Sequence, residues 1–292
     1  MSSPADPAPR EPDRRHPGPR GQASAVGRVA DVFAAMRDRD ETTVIPFVCG
    51  GHPSAASTGE LVEQLDGAGA KIIEVGVPFS DPIADGPVIA AAMHKVLTSG
   101  VRFSDVFDQI AGIRDRVDAA LVAMVSVSIV HGSGGPDAFC ERAKAAGFDG
   151  FIFPDAPLEE TAALADAAGS RDLSVTLLIS PTTPTDRAEA IASACTGFVY
   201  LLARSGITGE RSDTPDVGPR VAELRRSTRL PIACGFGIST AEHVAAVVEH
   251  ADAAIVGSAL VRAIQAAKDS GANPVSAAVD LYTELTTGTV SL

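Results

Sequence analysis

No apolar run in this sequence approaches the roughly 20 residues needed to cross a bilayer, which argues against a membrane protein. The opening stretch, MSSPADPAPREPDRRHPGPRGQ, lacks the apolar core of a secretory signal, so a cytoplasmic chain is expected. Cysteine is scarce: Cys49, Cys140, Cys195 and Cys234 stand far apart, with no CxxC pair and no metal-type spacing with histidine. Buried free thiols in a reducing compartment are the simpler expectation, and neither a disulfide frame nor a metal centre is. Lys/Arg clusters with interleaved aromatics are missing and the formal charge is −13, which argues against nucleic acid as a partner. An anionic ligand would have to be held by a local device, because the overall field repels it. Neither HExxH nor GxSxG occurs, and the six histidines have no triad-like surroundings. The late apolar runs carry no lysine of the kind a Schiff-base aldolase needs.

What is present is globular: 45% hydrophobic and 21% charged residues over 292 positions, enough for one barrel of about 250 residues. Residues 1–24 hold six of the twenty prolines and four arginines with no apolar periodicity, so they read as a disordered tail ahead of a single catalytic domain over 25–292. That domain opens with an extra helix carrying Val29, Val32, Phe33 and Met36 at helical spacing. Eight short apolar runs follow, at Thr43–Val48, Lys71–Val75, Ala120–Val125, Gly150–Phe153, Leu173–Ile179, Phe198–Leu202, Pro231–Cys234 and Ala253–Val256. Their continuous apolarity suits parallel strands covered on both faces. Helical stretches alternate with them, at 54–68, 103–116, 136–146, 158–171, 185–194, 217–226 and 240–250, with Ser54, Thr185 and Ser239-Thr240 as start signals. Eight such units fit an α/β single (β/α)8 barrel better than a doubly wound sheet.

Chemistry in such a barrel belongs at the C-terminal strand ends. After the second run the text reads EVGVPFSDPIADGP (74–87), which places Glu74 inside an apolar strand and Asp81 and Asp85 in a proline-restrained loop. An inward Glu74 would have its pKa raised by burial, as suits a group that both gives and takes a proton. An outward glutamate with turn-capping aspartates is the alternative that spacing leaves open. The seventh and eighth runs end in Gly235-Phe-Gly237 and Gly257-Ser258, the two places where barrels commonly bind phosphate through backbone N–H groups and a helix N-terminus. Plain tight turns are the alternative there. The sixth run carries Tyr200 near its end and leads into a long polar loop to Pro215, a candidate lid in which Gly209 could donate to phosphate. A buried tyrosine with a satisfied hydroxyl is an equally simple reading of Tyr200.

EVGVPFSDPIADGP resembles the signature of the tryptophan synthase alpha chain family, and PFV (46–48), FPDAPLEE (153–160), YLLARSGITG (200–209), GFGIST (235–240) and VGSALV (256–261) continue the resemblance in order over residues 26–270. It implies retro-aldol cleavage of indole-3-glycerol phosphate to indole and glyceraldehyde 3-phosphate in tryptophan biosynthesis. By resemblance Glu74 is the acid–base group, Asp85 stabilises charge at the indole N–H, and Tyr200 packs beside them. Gly209, Gly235, Gly237, Gly257 and Ser258 match the phosphate cradle, and Phe47 and Phe236 the indole pocket. The resemblance implies no metal or cofactor in this chain, with pyridoxal phosphate only in a partner beta chain of an α2β2 complex.

Two loops depart from the family pattern. His52 stands before Pro53 where the family has an aspartate, and residues 125–135 lack the usual Tyr/Asn-Pro-containing segment. These departures bear on partner coupling more than on chemistry. They leave a stand-alone indole-releasing lyase as one alternative and a weakly active barrel serving as an allosteric partner as another. A different sugar-phosphate isomerase on the same barrel does not account for the 74–87 motif.

Overall fold

The computed structural model describes residues 26–82, 85–203 and 214–289. Eight parallel strands close into a barrel in sequence order. They are β1 (Thr43–Cys49), β2 (Ile72–Gly76), β3 (Ala120–Met124), β4 (Gly150–Phe153), β5 (Ser174–Ile179), β6 (Val199–Leu202), β7 (Ile232–Gly235) and β8 (Ala253–Val256). Each expected strand is there with its limits within one residue, because runs buried on both faces leave few other ways to place them.

The helices are α1 (Gly27–Asp38), α2 (Ser57–Gly67), α3 (Pro87–Thr98), α4 (Phe103–Ile113), α5 (Val127–Gly132), α6 (Gly135–Ala146), α7 (Thr161–Gly169), α8 (Thr185–Ala194), α9 (Gly218–Leu224), α10 (Ala241–Val248), α11 (Ser258–Ser270) and α12 (Pro274–Thr286). The sequence reading did not set out α3, α11 or α12, and the segment it took as an altered loop after β3 contains the short helix α5. Of its three start signals only Thr240 caps, accepting from the His243 N–H. Ser54 instead bonds the Ser57 hydroxyl, and Thr185 donates to Glu223. A side-chain oxygen caps only where the preceding backbone is extended and aims it at the first turn, and spacing cannot reveal that.

Parallel register decides which side chains face inward. Phe47 pairs with Glu74, Glu74 with Val122, Leu178 with Tyr200, Tyr200 with Ala233, and Ile45 with Ile255. Since side chains alternate along a strand, this register puts Phe47, Glu74, Tyr200 and Ile255 on the barrel's inner side. The opposite pleat packs against the helices. Phe151 of β4 faces out, 5.6 Å from Phe139 of α6 and 5.4 Å from Phe153 by ring centroid, in a cluster that Phe107 and Phe148 complete.

α1 covers the N-terminal mouth. The Val26 N–H reaches the Thr196 carbonyl at 3.0 Å, Arg28 donates to the Asp118 carbonyl, and Phe33 packs 5.7 Å from Phe198. A hollow suited to a ligand is therefore left to the C-terminal mouth. Truncating Phe151 to Ala should cost about 3–5 kcal/mol, because a phenyl group within a fully buried cluster is lost and its cavity only partly collapses. Chemical denaturation would show it, and a loss below about 1 kcal/mol would mean the cluster does not hold α6 on β4.

Candidate active site

At the C-terminal mouth lies a pocket of about 560 Å³ whose wall includes Phe47, Glu74, Asp85, Met124, Tyr200, Phe236 and Ile255 on one side and Gly237, Ser239, Gly257, Ser258 and Arg262 on the other. The strands and the loop after β2 thus supply most of an apolar and acidic part, and the loops after β7 and β8 a polar part. Sequence reasoning named Phe47, Glu74, Asp85, Tyr200, Phe236, Gly237, Gly257 and Ser258, and the fold brings all of them to this one hollow. Gly235 lies just beneath, and Gly209 falls outside the described residues.

Glu74 is 1% exposed, and neither of its carboxyl oxygens has a hydrogen-bond partner among the described residues. Phe47 lies beside it in register, and its ring crosses Gly76, where a Cβ would stand 2.4 Å from Phe47 Cζ. Loss of water with no compensating donor penalises the ionised form, so burial first, and then the charge of Asp85, push Glu74 up to about 8. Asp85 is pushed up to about 6 by burial alone. Two carboxyl groups therefore share one hollow with different protonation at neutral pH: Glu74 carries its proton and Asp85 has lost it. Tyr200 stays neutral, raised well above its usual range by burial and by both carboxylates. Its ring lies over Gly235, where any Cβ would fall 2.2 Å from the phenol oxygen, and stands edge-on to Phe236 at 6.4 Å.

The polar side is built from backbone. Phe236 and Gly237 have φ of 81° and 78°, a left-handed conformation that an aromatic residue rarely adopts and that often marks functional loops. No side chain caps α11 at Gly257, and its first intrahelical bond runs from the Val261 N–H to the Gly257 carbonyl. The amides of residues 258–260 precede that bond and point out of the helix end, where the helix dipole favours an anion. The neighbouring α10 differs, because Thr240 occupies its N-terminus.

Met124, Ile255 and Arg262 line the pocket without having been singled out from sequence, and Ser239, read there only as part of a helix start, lines it too. Arg262 was findable: it lies four residues after Ser258 on one helix, a spacing that repeats a face. A second hollow of about 310 Å³ adjoins the first, sharing Asp85 and Met124 and adding Phe79, Asp81, Ser126 and Asp155. Asp155 fixes the start of α5 there, accepting from the Ser126 hydroxyl and the Val127 N–H.

The substituted loop after β1 turns inward. His52 is 3% exposed, its Nε2 has no hydrogen-bond partner among the described residues, and it is lowered to about 4 by burial with help from Lys268 and Lys95. Lys268 also donates to the Pro53 carbonyl at 2.6 Å, so the loop is tied to α11. All four cysteines are free and buried, and burial pushes Cys49, Cys195 and Cys234 up to about 12, which leaves them unsuited to nucleophilic work. Among the described residues no group of three or more His, Cys, Asp or Glu could hold a metal ion, and no helix is long and apolar enough to cross a membrane.

Comparison with known proteins agrees with this architecture. Residues 33–289 match the family model described as tryptophan synthase alpha chain. The tryptophan synthase alpha chains of Rippkaea orientalis and Synechocystis are each 42% identical, over 80% and 81% of this chain and 88% and 90% of theirs. Among solved structures, the alpha subunit of Legionella pneumophila tryptophan synthase superposes with a TM-score of 0.82 at 29% identity, covering 90% of this chain and 98% of its own. A Mycobacterium tuberculosis tryptophan synthase chain gives 0.81 at 31% identity, covering 91% and 98%. With the barrel, the order of its loops and nearly the whole chain length in common, this chain belongs to the tryptophan synthase alpha chain family.

Proposed function

We propose that Glu74 and Asp85 carry out the retro-aldol cleavage of indole-3-glycerol phosphate at this pocket, releasing indole and glyceraldehyde 3-phosphate. Family membership makes the chain a carbon–carbon lyase of tryptophan biosynthesis. The observation that supports the residue roles is the buried, unpartnered carboxyl of Glu74 beside a second carboxyl that titrates lower.

Protonated Glu74 gives its proton to C3 of the indole ring, which leaves a cationic iminium at the ring nitrogen. Ionised Asp85 accepts the indole N–H and stabilises that charge. Glu74, now a carboxylate in an apolar wall, removes the proton of the C3′ hydroxyl. The C3–C3′ bond breaks as the carbonyl forms, its electron pair returns to the ring and neutralises the iminium, and Glu74 ends as it began. Phe47, Phe236 and Ile255 flank the indole, and Tyr200 packs beside the acid pair. The loops at Gly235–Gly237 and Gly257–Ser258 hold the phosphate through N–H groups, with Gly209 closing from the lid. No step needs a metal or an organic cofactor. The pyridoxal phosphate of the two-chain enzyme belongs to the beta chain, and we take this chain, one catalytic domain from about residue 25, to work in the cytoplasm within an α2β2 complex.

Purified chain supplied with indole-3-glycerol phosphate should release indole, and Glu74→Gln should lower turnover by at least about 10³-fold, near the upper end of what one proton-transfer group contributes. Retention of a tenth of the wild-type rate would remove Glu74 from the acid–base role. In the free enzyme Glu74 must hold its proton and Asp85 must have lost its own, so kcat/KM should fall above about pH 8 and below about pH 6. A profile still rising at pH 9 would contradict the protonated role of Glu74. Adding a beta chain of the family should raise indole-3-glycerol phosphate turnover and give an α2β2 species in sedimentation. Full activity alone, with no association, would favour the stand-alone lyase that the altered loop around His52 suggests.

A further inference from the structure

We infer that Arg262 is the residue that makes this pocket select a phosphorylated substrate, by pairing its guanidinium with the phosphate held at the start of α11. The inference rests on the substrate class proposed above and adds a full charge to a cradle otherwise made of backbone amides and serine hydroxyls. Arg262 lies one turn after Ser258, and side chains on a helix tilt toward its N-terminus, so its head is carried back over the same turn whose amides point into the hollow. It is the one basic side chain among the described residues lining the pocket, whose acidic members are Glu74 and Asp85.

The charge balance gives the reason. The chain carries a formal −13, and a phosphate entering this mouth meets ionised Asp85 while the neighbouring hollow adds Asp81 and Asp155. Backbone amides and a helix end offer partial charges that also suit neutral acceptors. A guanidinium adds a full charge and a planar pair of donors matching two phosphate oxygens. The hydroxyls of Ser239 and Ser258 line the same corner and complete the donor set. The arrangement separates tasks by distance along the substrate: Arg262 acts on the phosphate end, and the acid pair acts on the ring end.

The test uses Arg262→Gln and Arg262→Lys in the full chain. Glycerol 3-phosphate binding, turnover of indole-3-glycerol phosphate, and indole binding as the control are measured for each. Arg262→Gln should raise KM and the glycerol 3-phosphate Kd by roughly 10–100-fold, the range expected for a lost charge-assisted pair, with a far smaller fall in kcat. Indole binding should stay within twofold of wild type. Arg262→Lys should recover part of the lost affinity, because charge returns without the fork. Added salt should weaken glycerol 3-phosphate binding to the wild type more steeply than to Arg262→Gln. A KM and Kd within twofold of wild type in Arg262→Gln would overturn the inference. Parallel loss of indole binding would also overturn it, by showing that the residue holds the fold. The reading on which it rests fails differently, through a wild-type chain that binds glycerol 3-phosphate yet releases no indole.

Discussion

A carboxyl group buried in an apolar wall without a hydrogen bond is a condition that a protein must answer, and here the answer is a retained proton. Neither oxygen of Glu74 has a partner among the described residues, and Phe47, Met124 and Ile255 stand in the same wall. Ionising it there would forfeit hydration with nothing in return, which is why the proton stays to about pH 8. Asp85, at the loop edge with more access to water, gives up its proton lower. That split is what general acid–base chemistry on a weakly basic ring carbon requires. The barrel supplies it by register: a residue on the inward pleat of β2, two positions from the strand's end, has no other place to point.

The remainder of the mouth keeps chemistry and binding apart. Strands carry Glu74, Phe47 and Tyr200, held by ladders on both sides, and the loops after β2 and β7 bring Asp85 and Phe236 to them. The corner proposed for phosphate uses loop backbone at Phe236–Gly237 and the uncapped start of α11, devices that favour an anion without adding a further titrating group near neutrality. α1 covers the opposite mouth, where Phe33 packs on Phe198 and the inward pleat of β5 carries the buried Ser174 and Thr176. The loop around His52 is tied to α11, because Lys268 donates to the Pro53 carbonyl. A contact made at that loop would therefore be felt at α11, the helix proposed to hold the phosphate.

Strands and inward residues were legible because continuous apolar runs and two-residue alternation leave little freedom. Glu74 stood out as a charge inside such a run, and Gly235, Gly237, Gly257 and Ser258 as glycine and serine positions at the two expected loops. What sequence did not yield depends on three-dimensional approach. The starts of α2 and α8 lack the caps that Ser54 and Thr185 suggested, because those hydroxyls find side-chain partners instead. α5 was read as loop because a six-residue helix, held by Asp155 from the next strand's end, has no periodicity long enough to see. Met124 and Ile255 look like any core residue until the barrel closes. Arg262 needed the helix start at Ser258 to be fixed before its spacing acquired meaning.

Everything at this mouth turns on Glu74 holding a proton at neutral pH in the free protein. Infrared difference spectroscopy of the carboxyl C=O stretch across pH 4–10, wild type against Glu74→Asn, reads this directly. A protonated-carboxyl band that disappears near pH 8 in the wild type and is missing in the variant is the expected result. A Glu74 band already lost by pH 5, as for an ordinary solvated glutamate, would contradict the account.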